Sequence, residues 1–326
     1  MKTITSIIND ANFIQLRGLG VSQLHLKLES LNPAGSVKMK AAVAMINDAE
    51  ARGCLKRDTV LIESSSGSLG VALSMVCAAR GYHFTCVVDP NTSAHNVKMM
   101  KALGADIVVV TQRDENGGFL GTRIAYINET VARDPRYLWL NQYANPENPG
   151  AHARSTGPSI AAAFEHVDYL FIGAGTTGTL MGCVQYFRQY RPRTRIVAVD
   201  SIGSVTFGHP AGKRYVPGLG TSRRPEIYSP EGIHAFEMVD EAEAIAMCRH
   251  LARTNGLLAG GSTGTVLCGV QHWRERLPTN ATVVAISPDL GERYLDTVYN
   301  DQWVLERFGE RALAPLDVNS ALRMLA

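Results

Sequence analysis

The chain has 326 residues, of which 45% are hydrophobic and 19% charged, and its formal net charge is +2. This balance excludes the basic footprint of a nucleic-acid or membrane-surface binder and leaves small molecules as the expected partners. At this length a single core stops growing, so two lobes or one large α/β unit are expected.

Residues 1–12 lack the apolar stretch and small-residue cleavage site of a secretory signal, so a cytoplasmic protein is expected. Apolar runs such as 71–79 fall well short of the roughly 20 residues of a membrane span. Cys54, Cys77, Cys86, Cys183, Cys248 and Cys268 are scattered, with no C-x-x-C pair and no nearby histidine cluster. Neither zinc nor a disulfide framework is expected.

In chain order, the first informative segment is the turn Asn32-Pro33-Ala34-Gly35-Ser36-Val37-Lys38-Met39-Lys40, which leads into a helix-like run at 41–46. By itself Lys38 reads as a solvated charge. A lysine that carries a carbonyl cofactor needs its amine neutral for part of the cycle, and a desolvated turn entering a helix can provide that. A strand at 59–62 follows, then the turn Ser64-Ser65-Ser66-Gly67-Ser68-Leu69-Gly70 and a helix at 71–80. Serine before an apolar run is also a good N-cap, so this turn reads equally as structure or as ligand cradle. Next come a strand at 84–88, a helix at 97–103 and a strand at 107–111. Asn, Pro and Gly then cluster at 141–158, as in a loop or domain crossover.

The strand at 169–172 runs into Gly173-Ala174-Gly175-Thr176-Thr177-Gly178-Thr179 and a helix at 179–190. Glycines there let the backbone approach an anion, and the helix N-terminus offers unpaired N–H groups. No lysine follows the last glycine, which excludes the Walker-type loop. Three readings stay open at this point. They are a phosphate-bearing cofactor, a structural turn, or a dinucleotide fingerprint, since Gly173, Gly175 and Gly178 form G-x-G-x-x-G and Asp200 ends the next strand, 195–199. A helix at 241–254, the turn Gly260-Gly261-Ser262-Thr263-Gly264 and a strand at 282–286 complete the pattern. Short strands alternating with helices define the α/β class, a mostly parallel sheet covered on both faces.

Taken together, Ser36-Val37-Lys38, 65–70, 141–146, 175–179, 260–264 and 291–295 resemble, in order, the motifs of the cysteine synthase family of pyridoxal 5'-phosphate (PLP) enzymes, which have the fold type II, tryptophan synthase β-like architecture. The match runs from about 13 to 303. The resemblance implies a Schiff base on Lys38, cofactor phosphate on Gly175, Thr176, Thr177, Gly178 and Thr179, and Ser262 at the pyridine nitrogen. It implies substrate carboxylate on Ser65, Ser66, Gly67 and Gln142, with Ser68 where the family usually has an asparagine touching the cofactor hydroxyl. Thr177 replaces the usual second glycine of the phosphate loop and adds a hydroxyl, and Met39-Lys40 replaces the customary Asp-Arg. The resemblance further implies β-replacement on an activated serine through an aminoacrylate, a small lobe at 37–140, a large lobe at 1–36 plus 141–326, and a homodimer. A neutral Ser262 implies an unprotonated pyridine nitrogen.

The segments Gln142-Tyr143-Ala144-Asn145, 203–208, 218–223 and 288–296 are similar to a branch that joins O-phospho-L-serine to L-glutamate in 2,3-diaminopropionate formation for siderophores and antibiotics. Thr221-Ser222-Arg223-Arg224 leans the same way, because guanidinium groups suit phosphate and carboxylate oxygens whereas sulfide and acetate need no such clamp. A solvated loop is the plainer reading of Arg223 and Arg224. Tyr143 reads equally as a hydrogen-bond donor to substrate or as a filler of its slot. Glu292 and Arg293 are expected to form a structural ion pair. Cysteine synthase is the alternative activity. A nicotinamide oxidoreductase is a distant one, since it leaves Lys38 and the serine turns without a role.

Overall fold

Short β-branched and aromatic runs favour strands, and ten of them pair into two sheets in the computed structural model, which describes residues 3–115, 117–314 and 316. The chain begins with β1 (Phe13–Leu16), β2 (Gln23–Leu28), α1 (Lys38–Ala51), β3 (Val60–Ser64), α2 (Ser68–Arg80), β4 (His83–Val88), α3 (Ala94–Ala102), β5 (Asp106–Val109), α4 (Leu120–Arg133) and β6 (Tyr137–Trp139). It continues through α5 (Glu147–Arg154), α6 (Thr156–Ala163), β7 (Tyr169–Gly173), α7 (Gly178–Tyr190), β8 (Arg195–Ser201), β9 (Ala235–Val239), α8 (Glu241–Thr254), α9 (Gly261–His272), β10 (Thr282–Ser287) and α10 (Asp301–Phe308).

One sheet has the order β5-β4-β3-β6 and is parallel throughout. The other has the order β1-β2-β10-β7-β8-β9 and is parallel except where β1 meets β2. Strand alternation decides which residues fill which layer. On one face of the larger sheet Phe171, Val197 and Ala285 pack with Val266, Leu267 and Met247 from α8 and α9. On the other, Leu170, Ile172, Ala198 and Val284 pack with Leu180, Cys183 and Phe187 of α7. In the smaller sheet Leu61, Phe84 and Cys86 meet α1 and α2, whereas Ile62 and Val87 meet Ile127 of α4. Each fully buried Leu, Ile or Phe contributes roughly 1.5–3 kcal/mol from burial, so both faces of each sheet are sealed by helices and ligands are left to the loops at the strand ends.

The strands expected at 59–62, 84–88, 107–111, 169–172, 195–199 and 282–286 are all present, with ends displaced by no more than two residues. The segment 141–158 differs from expectation, because α5 and α6 fill most of it. Pro146 precedes the first residue of α5, and Pro158 sits in the first turn of α6, where a missing N–H costs nothing. Helix α4 also went unpredicted, although Leu120, Ile124, Ile127 and Val131 carry a helical spacing. Among the described residues no helix is long and apolar enough to cross a membrane.

Candidate active site

The turn before α1 is fastened from two sides. Asn32 Nδ2 donates to the carbonyls of Glu29 and Ser36, each at 2.9 Å, and Val37 N donates to Pro288 O at 2.8 Å. Lys38 therefore enters α1 at a defined point, and its Nζ lies 3.2 Å from Thr176 Oγ1 at the end of β7. Burial lowers the Lys38 amine from its ordinary value to about 8, with the nearby Glu63 carboxyl opposing the shift. Near neutral pH the amine is therefore neutral far more often than an ordinary lysine, as a Schiff-base lysine requires.

Lys40, two positions on, projects from the opposite side of the helix. Its ammonium is buried against Glu29 Oε2 at 2.7 Å, Thr156 Oγ1 at 2.8 Å and the Asp10 carboxylate. Thr156 Oγ1 continues to His152 Nδ1 at 2.9 Å, and His152 Nε2 reaches Thr179 Oγ1 at 3.3 Å. An open cleft of about 450 Å³ beside Asp10, Lys40, Glu147 and Arg154 belongs to this side of α1 and is separate from Lys38.

The phosphate loop is built by close approach. A Cβ on Gly178 would fall 2.0 Å from Asn148 Oδ1, and one on Gly175 would fall 2.8 Å from Gly218 O. Thr177 adopts φ +66°, a left-handed conformation that is costly for a β-branched residue. Thr177 Oγ1 and Asn148 Oδ1 are both buried without a protein partner, while Asn148 Nδ2 holds Thr176 Oγ1 at 3.0 Å. Orphaned hydroxyl, glycine cradle, helix N-terminus and depressed lysine converge on one place and fit a cofactor bearing both a phosphate and a carbonyl.

Facing this loop, Ser65 Oγ accepts from Gly70 N at 2.9 Å and caps α2, leaving its own proton available. Ser66 is half-buried with no side-chain partner among the described residues, and Gly67 precedes α2 with φ −144° and ψ −139°, outside the ordinary strand and helix regions. Gln142 Nε2 donates to Ser64 O at 2.9 Å. Ser68 Oγ lies 3.4 Å from Arg293 Nη1. Arg293 therefore reaches back to the Lys38 turn, where it also binds the Ala34 carbonyl, and the expected ion pair with the exposed Glu292 does not form. Ser262, at the start of α9, is buried with its hydroxyl 3.4 Å from Asp289 Oδ1.

Tyr143 is buried against Leu120, Ile124 and Trp139, and its hydroxyl has no protein partner among the described residues. Arg223 pairs with Glu226 and is about one-third exposed, near enough to Tyr143 to influence its hydroxyl. Arg224 is exposed and stacks on the Tyr228 ring at 4.9 Å, so its guanidinium is turned onto the surface rather than towards these groups.

Three functional candidates escaped the sequence reading. Glu63, fully buried in β3, accepts from Ser64 N, Trp139 Nε1 and Gln142 N at 2.8, 3.0 and 3.1 Å, and burial pushes its carboxyl up to about 7. It ties the Ser65 loop to Gln142, and an acid inside Val-Leu-Ile-Glu-Ser was the available signal. Arg123 on α4 is buried with Nε and Nη1 lacking hydrogen-bond partners, 3.5 Å from Asp89 Oδ2. Asp289 is buried behind Ser262.

These groups are those of an enzyme that holds PLP on a lysine, and the chain belongs to the family described as pyridoxal-phosphate dependent enzyme, whose profile matches residues 4–289. The dinucleotide reading of Gly173, Gly175 and Gly178 is thereby set aside. The chain is 40% identical over 315 residues to N-(2-amino-2-carboxyethyl)-L-glutamate synthase of Ralstonia nicotianae, covering 95% of this chain and 93% of that protein. It is 37% identical to the enzyme of the same name from Cupriavidus metallidurans, covering 96% and 94%. The crystal structure of a substituted O-ureido-L-serine synthase with O-ureido-L-serine bound superposes with a TM-score of 0.86 at 28% identity, covering 100% of this chain and 98% of that one. The tryptophan synthase β-like, mostly parallel α/β fold expected from the motifs is the fold found.

Proposed function

We propose that this chain joins O-phospho-L-serine to L-glutamate, giving N-(2-amino-2-carboxyethyl)-L-glutamate and phosphate. The similarity to two synthases of that name along nearly the whole chain supports the reading. The observation that carries it is the combination of Arg123, buried with Nη1 lacking a hydrogen-bond partner among the described residues, and the Tyr143 hydroxyl, likewise without one, next to the Ser65 loop that Glu63 organises. Asp89 faces Nε at 3.5 Å, and the buried Nη1, with no hydrogen-bond partner among the described residues, suits an oxygen of a departing phosphate or an incoming dicarboxylate.

PLP, when bound, supplies the electron sink that acidifies the substrate Cα–H and lets the β-substituent leave. Lys38 Nζ would hold the cofactor, and its amine, made less basic by burial, would move the proton at the substrate Cα. Gly175, Thr176, Thr177, Gly178 and Thr179 would hold the cofactor phosphate, Ser262 its ring nitrogen, and Ser68, with Arg293 behind it, its ring hydroxyl. Ser65, Ser66, Gly67 and Gln142 orient the substrate carboxylate, while Arg123, Tyr143 and Arg223 receive the leaving phosphate and then the glutamate carboxylates. Arg224 serves at most the rim. The unit 37–140 acts as the mobile small lobe against 1–36 plus 141–326, of which 1–2, 116, 315 and 317–326 lie outside the described residues. The working form is a cytoplasmic homodimer whose product is a precursor of the 2,3-diaminopropionate used in siderophore assembly.

The test uses cofactor-loaded protein with O-phospho-L-serine or O-acetyl-L-serine, each with L-glutamate or sulfide, followed by phosphate release and product mass. Phosphate release that continues beyond one equivalent per active site only with glutamate, with the conjugate as product, supports the proposal. Turnover with O-acetyl-L-serine and sulfide alone overturns it in favour of a cysteine synthase.

A further inference from the structure

Of the segments 203–208 and 218–223, the proposed reaction assigns a role to Arg223 alone. The two segments lie side by side next to the phosphate loop. Val205 N donates to Thr221 O at 3.0 Å, and Gly220 N donates at 3.0 Å to the carbonyl of Ala174, just past β7. Between them runs a row of hydroxyls. Ser204 and Thr206 are fully buried and Thr221 is 6% exposed. Ser204 Oγ lies 3.0 Å from Thr206 Oγ1, Thr206 Oγ1 lies 3.2 Å from Thr221 Oγ1, and Thr221 Oγ1 donates to the carbonyl of Arg223.

The polarity of the row is set at its two ends. A carbonyl only accepts, so the Thr221 proton is committed to Arg223 O. Ser204 Oγ receives the N–H groups of Thr221 at 3.1 Å and Thr206 at 3.4 Å, which fill its lone pairs, so its own proton goes to Thr206 Oγ1 or to the Asp200 carboxyl beside it. Thr206 bridges the ends whichever neighbour takes its proton. Valine has the shape of threonine without the hydroxyl, and a buried hydroxyl costs stability unless its hydrogen bonds are made. Packing alone therefore does not call for polar groups at 206 and 221.

What the row holds is the main chain at Arg223. On the other side of that residue Ile227 N donates to Tyr143 O at 3.0 Å, so the stretch carrying Arg223 is fastened at one end to the hydroxyls and at the other to Tyr143, its proposed partner in receiving the anion. The Arg223 guanidinium pairs with Glu226 within the same stretch. Arginine binds phosphate and carboxylate oxygens through a fork of fixed geometry, and a displacement of about 1 Å is enough to forfeit much of such a contact.

We infer that Ser204, Thr206 and Thr221 are positioning residues that set the place of Arg223 and so the preference for a donor bearing a charged phosphate. This rests on Arg223 receiving the leaving phosphate, as proposed above.

The experiment compares the full-length, cofactor-loaded protein with its Thr221→Val, Thr221→Ser, Thr206→Val and Arg223→Ala variants and with the Thr221→Val, Arg223→Ala double variant. The first half-reaction is followed by the change in visible absorbance over a range of O-phospho-L-serine and, separately, O-acetyl-L-serine, and the ratio of the two specificity constants is the quantity read. Thermal unfolding checks that each variant is folded. Thr221→Val and Thr206→Val are each expected to lower the ratio of phosphorylated over acetylated donor by roughly twofold to tenfold, the range of one hydrogen bond. Thr221→Ser, which restores the hydroxyl, should keep the ratio, and Thr221→Val should have no further effect once Arg223 is alanine. If Arg223→Ala lowers the ratio while either valine variant leaves it unchanged, or if the losses from Thr221→Val and Arg223→Ala add in full, the positioning role is overturned and the reading of Arg223 stands. If Arg223→Ala leaves the ratio unchanged, the reading of Arg223 falls and the positioning role falls with it.

Discussion

Replacing Thr177 by glycine should move fold stability and cofactor affinity in opposite directions. Thr177 holds φ +66° in the phosphate loop, a conformation that strains a non-glycine residue by roughly 1–3 kcal/mol. Glycine removes that strain but gains conformational freedom in the unfolded chain, which returns roughly 0.5–1 kcal/mol. The cofactor-free variant should therefore be more stable by about 1 kcal/mol. The same change deletes Oγ1, buried and without a protein partner. A hydrogen bond to a charged group contributes about 1.5–3 kcal/mol, so the dissociation constant for PLP should rise by roughly tenfold to a hundredfold. Denaturant unfolding of the cofactor-free protein and a fluorescence titration with PLP read the two quantities separately. A destabilised variant, or unchanged PLP affinity, would refute the idea that the hydroxyl is kept at a backbone cost for the sake of the phosphate.

Lys38→Ala should abolish both turnover and the visible absorbance of bound cofactor with the fold retained, as judged by circular dichroism. Lys40→Ala should keep the absorbance yet lose about 3–5 kcal/mol of stability, because it strips a buried partner from Glu29 and Asp10. The rate at which PLP attaches to cofactor-free protein should rise with pH to a plateau with a midpoint near the Lys38 value of about 8. Glu63→Gln should move that midpoint lower, since the carboxylate favours the charged amine; stopped-flow absorbance across pH decides it. Arg123→Ala should impair use of O-phospho-L-serine by tenfold or more, about 1.4 kcal/mol, and use of O-acetyl-L-serine far less. Arg224→Ala, on the exposed Tyr228 stack, should change neither by more than about twofold.

Motif order made the lysine turn, the serine loops and the glycine loop legible before any coordinates, because each is a local device whose residues are contiguous. What stayed hidden is contact across the sequence. Glu63 meets Gln142 over a separation of 79 residues, and Lys40 meets Thr156 over 116. Nothing in the residues beside Lys40 indicates that its charge is buried, so it read as a neighbour of Lys38 and not as the centre of a separate network. Arg293 likewise has Glu292 next to it, yet a 3-10 turn at Gly291–Tyr294 turns it towards Ala34 and Ser68. Strand β2 was missed because Gln-Leu-His-Leu-Lys-Leu alternates with a lysine that would be expected to face water, whereas Lys27 is fully buried against Asp10 and Glu29.

The pairing of Ser36 with Asp289, and of Val37 N with Pro288 O, fixes the start of α1 to the residues just after β10, inside the six-stranded sheet. Lys38 opens the segment that carries the four-stranded sheet, yet it is moored to the other one. If the smaller sheet rocks over a bound amino acid, Lys38 behaves as the pin of the hinge and stays still while Ser65, Ser66 and Gly67 swing.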